Sequence, residues 1–450
     1  MAERASSRRR VLAQAAGGLA AFSGLGAAPT ALARPGRRGD LVVSADAADV
    51  RPALLAAIRT VHAGGGGRVV LAPGHSLSRG PIHLLSRVEL HLAAGARLQF
   101  APDPLLYLPA VFTRWEGVEA YSYSPFVYAL EQKDIALTGS GVLDGQGERF
   151  WLPWRAKQGP DQTRLRDMGR DGAPLAARRF EAGAWLRPPL VQFVSCKRVL
   201  VENIRLEDSP FWCLHPVYCE DVTVRGVTVV SRHVNSDGVD PDSCSRVLIE
   251  RCTFDVGDDG VALKSGRDQD GWRVGRPCQD IVVRDCRYTG AAGGGFAIGS
   301  EMSGGVRRVL VDGFTMPKAS HAVYLKANLD RGGSIEDVRV RNIRAGELQA
   351  FIIFTNEYHS YRGGNFPPAF RRIGIERARC ERAEIGLHIT GHPRAPVQQV
   401  RLRDVAVAHA TRPAQVADVE DLELMRVRMN GAPLRAVAPL PREEFLSFKR

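Results

Sequence analysis

Three aspartates in two short, glycine-bounded turns are the residues best suited to catalysis. Asp237 lies in the turn 235–238 (Asn-Ser-Asp-Gly), and Asp258 and Asp259 lie in the turn 257–260 (Gly-Asp-Asp-Gly). Carboxylates held close together repel one another, so at least one of them keeps a proton near neutral pH. One protonated carboxyl beside ionised carboxylates is the equipment that glycoside hydrolysis requires.

The same two turns allow two other interpretations. Asn, Asp and Gly are common between strands because they tolerate turn conformations, with no catalytic role at all. A group of carboxylates is also a possible calcium site. Catalysis is favoured because Asp258 follows Asp237 by 21 residues, about one unit of the repeat that positions them.

That repeat consists of short runs of alternating apolar residues, which is the periodicity of strands. No copy contains a long helical pattern, so the sequence predicts an all-β fold, a right-handed parallel β-helix in which coils stack about 4.8 Å apart. A β-propeller would need four strands in every ~40–45 residues. The copies begin at Cys196, Cys219, Cys244, Cys278, Val306, Ile335, Phe370, Val397 and Val419.

The cysteines follow the same repeat. Four of the eight begin successive copies, and Cys252 and Cys286 share a second equivalent position. Without a CxxC pair or a zinc-ligand spacing, they are predicted to be small, buried, unbridged residues of the core.

The amino-terminal end of the solenoid needs a cover, because an open coil is an exposed sheet edge. Residues 46–63 predict a short capping helix, with the glycine run 64–67 ending it. The cap spans about 40–75 and the β-helix domain 40–450. The apolar face of this helix comprises Val50, Leu54, Leu55, Ile58 and Val61.

The first 33 residues are predicted to be a twin-arginine export signal. Arg8, Arg9 and Arg10 precede a weakly apolar stretch that ends in Ala31-Leu32-Ala33, an A-x-A-like cleavage site. This predicts a periplasmic or secreted protein that is free of the membrane once the signal is removed. The formal net charge of +12 suits an acidic partner, and the absence of a basic stripe argues against nucleic acid.

Three insertions between coils are candidate loops around a site, since loops on a rigid scaffold commonly carry function. They are the segments 151–190, which is rich in arginine, 265–277 and 355–364.

Six segments in order resemble the motifs of family 28 glycoside hydrolases, the polygalacturonase and rhamnogalacturonase family of pectin-degrading enzymes. The resemblance covers nearly all of the chain after the signal, and it implies a pectin-lyase-like parallel β-helix without cofactor or metal. The segments are Thr-Arg-Trp-Glu-Gly at 113–117, Leu-Asp-Gly-Gln-Gly at 143–147, the two acidic turns, Gly-Ser-Glu-Met-Ser-Gly-Gly at 299–305, and Tyr-Leu-Lys at 324–326.

The resemblance also implies roles for the matching residues. Asp258 is similar to the family's general acid, while Asp237 and Asp259 are similar to the pair that activates water. Inversion at the anomeric carbon then leads us to expect carboxyls about 6.5–9.5 Å apart. Lys326 resembles the lysine that holds the substrate carboxylate. The remaining candidates for substrate binding are Asn235, Lys264, Glu301, Tyr324 and Tyr358.

Two positions depart from the family pattern. Gly293 stands where the family has the histidine of Gly-His-Gly, and either His321 or His233 is a candidate to replace it. Tyr324 stands where the family has arginine, which can clamp a uronate carboxylate with two hydrogen bonds as tyrosine cannot.

These observations predict a monomeric polygalacturonase-like hydrolase that cleaves α-1,4-galacturonosyl linkages of an acidic polysaccharide. Three alternatives stay open: a hydrolase of rhamnogalacturonan or another mixed backbone, a calcium-dependent pectate lyase with an arginine base, and a pectin-binding relative without activity.

Overall fold

The computed structural model describes residues 39–359 and 362–445. The predicted export signal lies outside these residues. Among the described residues, no helix combines the length and the apolar character needed to cross a bilayer.

Short parallel strands, many only three to six residues long, build the first half of the chain. Each apolar side chain that points inward meets its equivalent on the next coil. The strands are β1 Leu41–Val43, β2 Gly67–Leu71, β3 Gly74–Ser78, β4 Ile82–His83, β5 Val88–Leu92, β6 Ala96–Phe100, β7 Val111–Trp115, β8 Val118–Ser122, β9 Val127–Leu130, β10 Lys133–Gly139, β11 Val142–Asp144, β12 Arg179–Phe180, β13 Val191–Val194, β14 Lys197–Glu202 and β15 Arg205–Glu207.

The second half continues the same stack, and from β22 onward several strands are 11–22 residues long and run around the corners of the coil. These strands are β16 Leu214–Val217, β17 Glu220–Arg225, β18 Thr228–Ser231, β19 Ser245–Glu250, β20 Thr253–Val256, β21 Val261–Leu263, β22 Cys278–Tyr288, β23 Gly294–Ile298, β24 Val306–Lys326, β25 Ser334–Thr355, β26 Ala369–Thr390, β27 Val397–Ala417, β28 Val419–Met425, β29 Arg428–Met429 and β30 Ala432–Pro433.

The predicted repeat is confirmed by the strand register. One column of buried apolar residues runs along the axis through successive parallel pairs, so each copy contributes one coil to a parallel β-helix. Among the described strands, only β7 with β8 and β29 with β30 pair antiparallel. The column contains Val199, Val222, Val247, Ile281, Val309, Val338, Ile373 and Val400.

The predicted capping helix is also present, as α1 over Arg51–Ala63, and it begins five residues after the predicted start at residue 46. It buries Leu54 and Ile58 completely against the first coils. The glycine run 64–67 ends it, and its first left-handed residue is Gly65, with φ 94°. All eight cysteines are unbridged and buried, as the repeat predicted.

Two further helices come from the insertions. The 151–190 segment holds α2, Arg155–Arg170, and the 265–277 segment holds α3, Asp268–Val274. The shorter helical turns are Pro104–Tyr107, Gly147–Trp151 (a π-helix), Leu152–Trp154, Leu175–Ala177 and Arg442–Glu444. Both α-helices lie beside the coils that carry the acidic turns.

Candidate active site

The two acidic turns occupy equivalent positions on successive coils. Val239 and Val261, each two residues after an aspartate, form a parallel bridge to one another. Asp237 and Asp259 are therefore axial neighbours, and Asp258 precedes Asp259 in the same turn. One oxygen from each of the three carboxylates lies within 4.8 Å of the other two, so the structure brings the three aspartates together as their spacing predicted.

The separation of the carboxylates differs from what the sequence led us to expect. Oxygens within 4.8 Å are closer than the ~6.5–9.5 Å typical of two carboxyls that invert an anomeric centre. The physical reason is the scaffold, because strands of adjacent coils lie only ~4.8 Å apart. Residues at equivalent positions of two such coils cannot stand much farther apart.

Burial sets the charge state of this cluster. Asp259 is fully buried and Asp237 is 3% exposed, whereas Asp258 is only partly buried. Burial raises the pKa of Asp237 well above its usual value, and the nearby charge of Asp258 raises it further. Asp258 is thus the member of the cluster that a bound sugar can reach most easily.

A fourth carboxyl, Asp240, lies behind the cluster and was missed in the sequence analysis. It is fully buried, and neither of its carboxyl oxygens has a hydrogen-bond partner among the described residues. Burial raises its pKa well above the usual value, with a further contribution from Asp237. Its place three residues after Asp237, on the same stretch of coil, was the available signal.

Lys264 is the cation at the centre of these acids. Its Nζ lies 3.7 Å from Asp237, 3.9 Å from Asp240 and 3.5 Å from Glu301, above the ring of Trp212. Burial acts to lower the pKa of Lys264, but the surrounding carboxylates outweigh it and raise the pKa well above its usual value. The lysine therefore stays charged and compensates the acids.

Of the two histidine candidates, His321 is the one that contacts the acidic cluster. Its Nε2 lies 3.1 Å from an oxygen of Asp259, and its Nδ1 is 2.8 Å from the hydroxyl of Ser320. His321 pairs in register with Gly294 of the preceding coil, and a Cβ at Gly294 would lie 2.2 Å from the ring. The glycine leaves the space through which the imidazole reaches Asp259 from two coils away.

The other histidine candidate stands elsewhere. His233 has its Nε2 3.4 Å from Asp208 and 3.2 Å from the hydroxyl of Ser231. A histidine at Gly293 would not fit without a shift of the backbone, because a Cβ there would lie 1.8 Å from the carbonyl oxygen of Asp258.

Lys326 lies beside the cluster and is paired with one of its carboxylates. Its Nζ donates a 2.7 Å hydrogen bond to Asp259 and lies about 5 Å from the rings of Tyr324 and Tyr358. Tyr324 is 4% exposed and packs edge-on against His321. A sugar therefore has little of Tyr324 to touch, whereas the half-buried Tyr358 faces the pocket.

The remaining predicted residues also line the pocket. Asn235 adopts a left-handed conformation, φ 61°, and its Oδ1 accepts a 2.9 Å hydrogen bond from the buried Arg187. Burial acts to raise the pKa of Glu301, but nearby cations, Arg267 foremost, hold it below the usual value. Glu301 is therefore an ionised partner of Arg267 and Lys264.

The motif at 113–117 contributes to the pocket from a separate hairpin. Arg114 forms a fully buried 2.8 Å ion pair with Asp242. Asp242 in turn forms a parallel bridge with Lys264 on the next coil. This anchors β7 and β8 and brings Glu116 to the pocket wall, where it contacts Arg166 of α2 and Arg267.

The pocket is a cavity of about 90 Å³. Two insertions help to enclose it. Arg166 of α2 and Tyr358 and His359 of the 355–364 segment line it, and the guanidinium of Arg362 contacts the carboxylate of Asp167. α2 and the 355–364 segment thus touch each other beside the site.

The three aspartates also have the oxygen donors and the spacing to hold a cation. Their compensating charge already comes from side chains, with Lys326 on Asp259 and Lys264 beside Asp237. A metal ion would have to compete with two ammonium groups. The arrangement is instead suited to moving a proton between carboxyls and water at a bound sugar.

Comparison with known proteins agrees with this chemistry. Residues 178–419 match the sequence profile of "Glycosyl hydrolases family 28". A solved exopolygalacturonase from Thermotoga maritima is 35% identical with a TM-score of 0.81, over 90% of this chain and 94% of that one. A polygalacturonase from Erwinia carotovora is 21% identical with a TM-score of 0.65, over 90% and 100% of the two chains.

Among curated proteins, a probable polygalacturonase from Vitis vinifera is 26% identical over 324 residues. The match covers 69% of this chain and 61% of the relative, so the chain spans less than two thirds of that protein.

Proposed function

The chain belongs to family 28 of the glycosyl hydrolases, and from this we propose that it hydrolyses α-1,4-galacturonosyl linkages of pectin. The observation that carries the proposal is the group of three carboxylates within 4.8 Å, with an imidazole and two ammonium groups beside it. The polygalacturonase activity in the names of its relatives supports the choice of substrate.

The roles follow from exposure and contacts. With the sugar bound, the proton that the cluster retains passes from Asp237 to Asp258, the most accessible of the three, and Asp258 donates it to the glycosidic oxygen as the C–O bond breaks. Asp237 and Asp259 hold a water molecule between them and accept its proton as its oxygen bonds to the anomeric carbon. His321 and Lys326 fix the orientation of Asp259 and its charge.

We propose inversion at the anomeric carbon despite the narrow spacing of the carboxylates. The ~6.5–9.5 Å criterion applies to one acid and one base with the water between them. Here Asp237 and Asp259 lie side by side and can hold the water together, while Asp258 donates the proton. The three carboxyl groups can therefore act from within one small region. Early-time NMR of the released sugar tests this, and a retained anomer would contradict it.

We also propose release of sugars from chain ends. Arg166 of α2 and Tyr358 and His359 of the 355–364 segment line one wall of the site, and Arg362 contacts Asp167 of α2 beside it. The relative from Thermotoga maritima is an exopolygalacturonase. Mono- or digalacturonate as the first product from polygalacturonate would support chain-end action, whereas a ladder of long oligomers would contradict it.

Product analysis tests the whole proposal and its alternatives. Polygalacturonate, rhamnogalacturonan and short oligogalacturonides are each incubated with the enzyme in EDTA. Saturated galacturonate products are expected from the first and third substrates. Cleavage of rhamnogalacturonan alone would indicate a mixed-backbone hydrolase, an unsaturated product absorbing in the ultraviolet would indicate a lyase, and binding without products would indicate an inactive relative.

Export and a monomeric state belong to the same proposal. Cell fractionation of wild type beside a variant with Arg8, Arg9 and Arg10 replaced by lysine tests the twin-arginine signal. Light scattering of the purified enzyme measures its oligomeric state.

A further inference from the structure

Among the described residues, four Lys and Arg side chains line the pocket, and three of them are already paired with carboxylates. Lys264, Lys326 and Arg267 have side chains that are at most 10% exposed, and each contacts a carboxylate. Tyr324 stands where the family has arginine. Arg267 is the one guanidinium among these three side chains, and it is largely buried and paired with Glu301. An acidic sugar entering the pocket needs another cation.

Arg166 is the exception. It comes from α2, an inserted helix, and its side chain is 35% exposed while lining the same pocket as Asp258 and Asn235. One Nη contacts Glu116 and the Nε is buried, so the exposed part of the side chain leaves the other Nη toward the pocket. The guanidinium therefore retains donors that a second carboxylate can use.

Its partner Glu116 has further partners besides Arg166. Glu116 also accepts hydrogen bonds of 2.8–2.9 Å from Gln162 and lies 3.5 Å from Arg267. Arg166 can thus turn part of its guanidinium toward a ligand without leaving Glu116 as an unpaired buried charge.

We infer that Arg166 binds a uronate carboxylate of the substrate and supplies, from a different part of the chain, the guanidinium that Tyr324 does not provide. This inference rests on the proposed function, since it needs a substrate with carboxylates. A planar guanidinium suits such a group because it can donate two parallel hydrogen bonds. Neutral sugars would gain nothing from it.

The test measures binding without turnover, in an Asp258→Asn background. Calorimetry gives Kd for trigalacturonate and for its methyl ester, in which the carboxylates are masked. Adding Arg166→Ala should weaken trigalacturonate binding about tenfold and leave the methyl ester within twofold, since hydrogen bonds to charged groups are the stronger ones. It should also reduce the salt dependence of Kd. Arg166→Lys should recover part of the affinity.

Two control variants separate binding from support of the helix. Arg164→Ala removes an arginine from the same helix that pairs with Asp161, and it should leave Kd unchanged. Glu116→Gln removes the anchor of Arg166 but keeps the guanidinium. If Arg166 only anchored α2, Glu116→Gln would weaken binding as much as Arg166→Ala.

The possible failures are distinguishable. Trigalacturonate binding that Arg166→Ala leaves within twofold, an equal loss for the methyl ester, or an equal loss in Glu116→Gln would each overturn the role of Arg166 alone. If the Asp258→Asn protein bound no galacturonate oligomer at all, the proposed function would fall, and this inference with it.

Discussion

Replacing Lys264 by methionine removes the central cation from a buried acidic cluster at nearly constant side-chain length. The ammonium lies within 3.9 Å of carboxylates on Asp237, Asp240 and Glu301. At an effective dielectric constant of about 20, one pair at 4 Å is worth about 4 kcal/mol before desolvation is counted. Removing one partner of a buried pair typically costs about 3–5 kcal/mol, and we expect a loss in that range at pH 7.

The loss should depend on pH in a defined direction. Burial raises the pKa of Asp237 and of Asp240 in the folded protein, so their ionisation weakens the fold as pH rises above the unfolded value of ~3.9. Lys264 opposes that penalty. Lys264→Met should therefore destabilise the protein more at pH 7 than at pH 4, where the two acids stay protonated in the folded state.

Denaturant unfolding followed by tryptophan fluorescence at both pH values measures this. Adding Asp240→Asn to Lys264→Met removes one acid with the cation and should recover part of the loss at pH 7. Lys318→Met removes an exposed strand lysine and should change stability by no more than ~0.5 kcal/mol. Equal destabilisation at pH 4 and pH 7, or no recovery in the double variant, would refute the charge balance drawn here.

Two further predictions concern the departures from the family pattern. His321→Ala should lower kcat about 10–100-fold, the equivalent of one hydrogen bond to a charged group. Adding Gly293→His should not restore kcat, because the new Cβ would lie 1.8 Å from the carbonyl oxygen of Asp258. Rescue of kcat in steady-state assays would contradict the placement of His321. Tyr324→Arg should lower the melting temperature and the activity, because it would place a charge in an apolar cluster with Ala297 and Ile353; a more active variant on polygalacturonate would mean that Tyr324 is accessible to substrate.

The coils could be predicted from the sequence because their signal is local and repeated. Alternating apolar residues three positions after each repeat start predicted the column through Val199 and Val222. Helix α2 could not be predicted in the same way. Its residues are mostly polar and include Pro160, and it is held by tertiary contacts such as buried Leu165 and Arg166 against Glu116.

The aspartates of the site were predictable because the two acidic turns that carry them lie about one repeat apart. The choice between His321 and His233 was ambiguous because His321 lies on a different coil from the aspartate that it contacts. Gly294 lacks a side chain, so His321 of the next coil extends past it to Asp259. Motif order along the chain does not reveal such a substitution across coils, and the same holds for Arg166, which reaches the pocket from an insertion.

The measurement that tests the central claim most directly is the activity of Asp258→Asn on polygalacturonate. The amide keeps the shape of the side chain and removes the proton donor. We expect kcat to fall about 10²–10⁴-fold, while calorimetric binding of trigalacturonate stays within a few-fold of that of an Asp237→Asn variant. An Asp258→Asn enzyme that hydrolyses polygalacturonate at nearly the wild-type rate would contradict the assignment of Asp258 as the acid of this site.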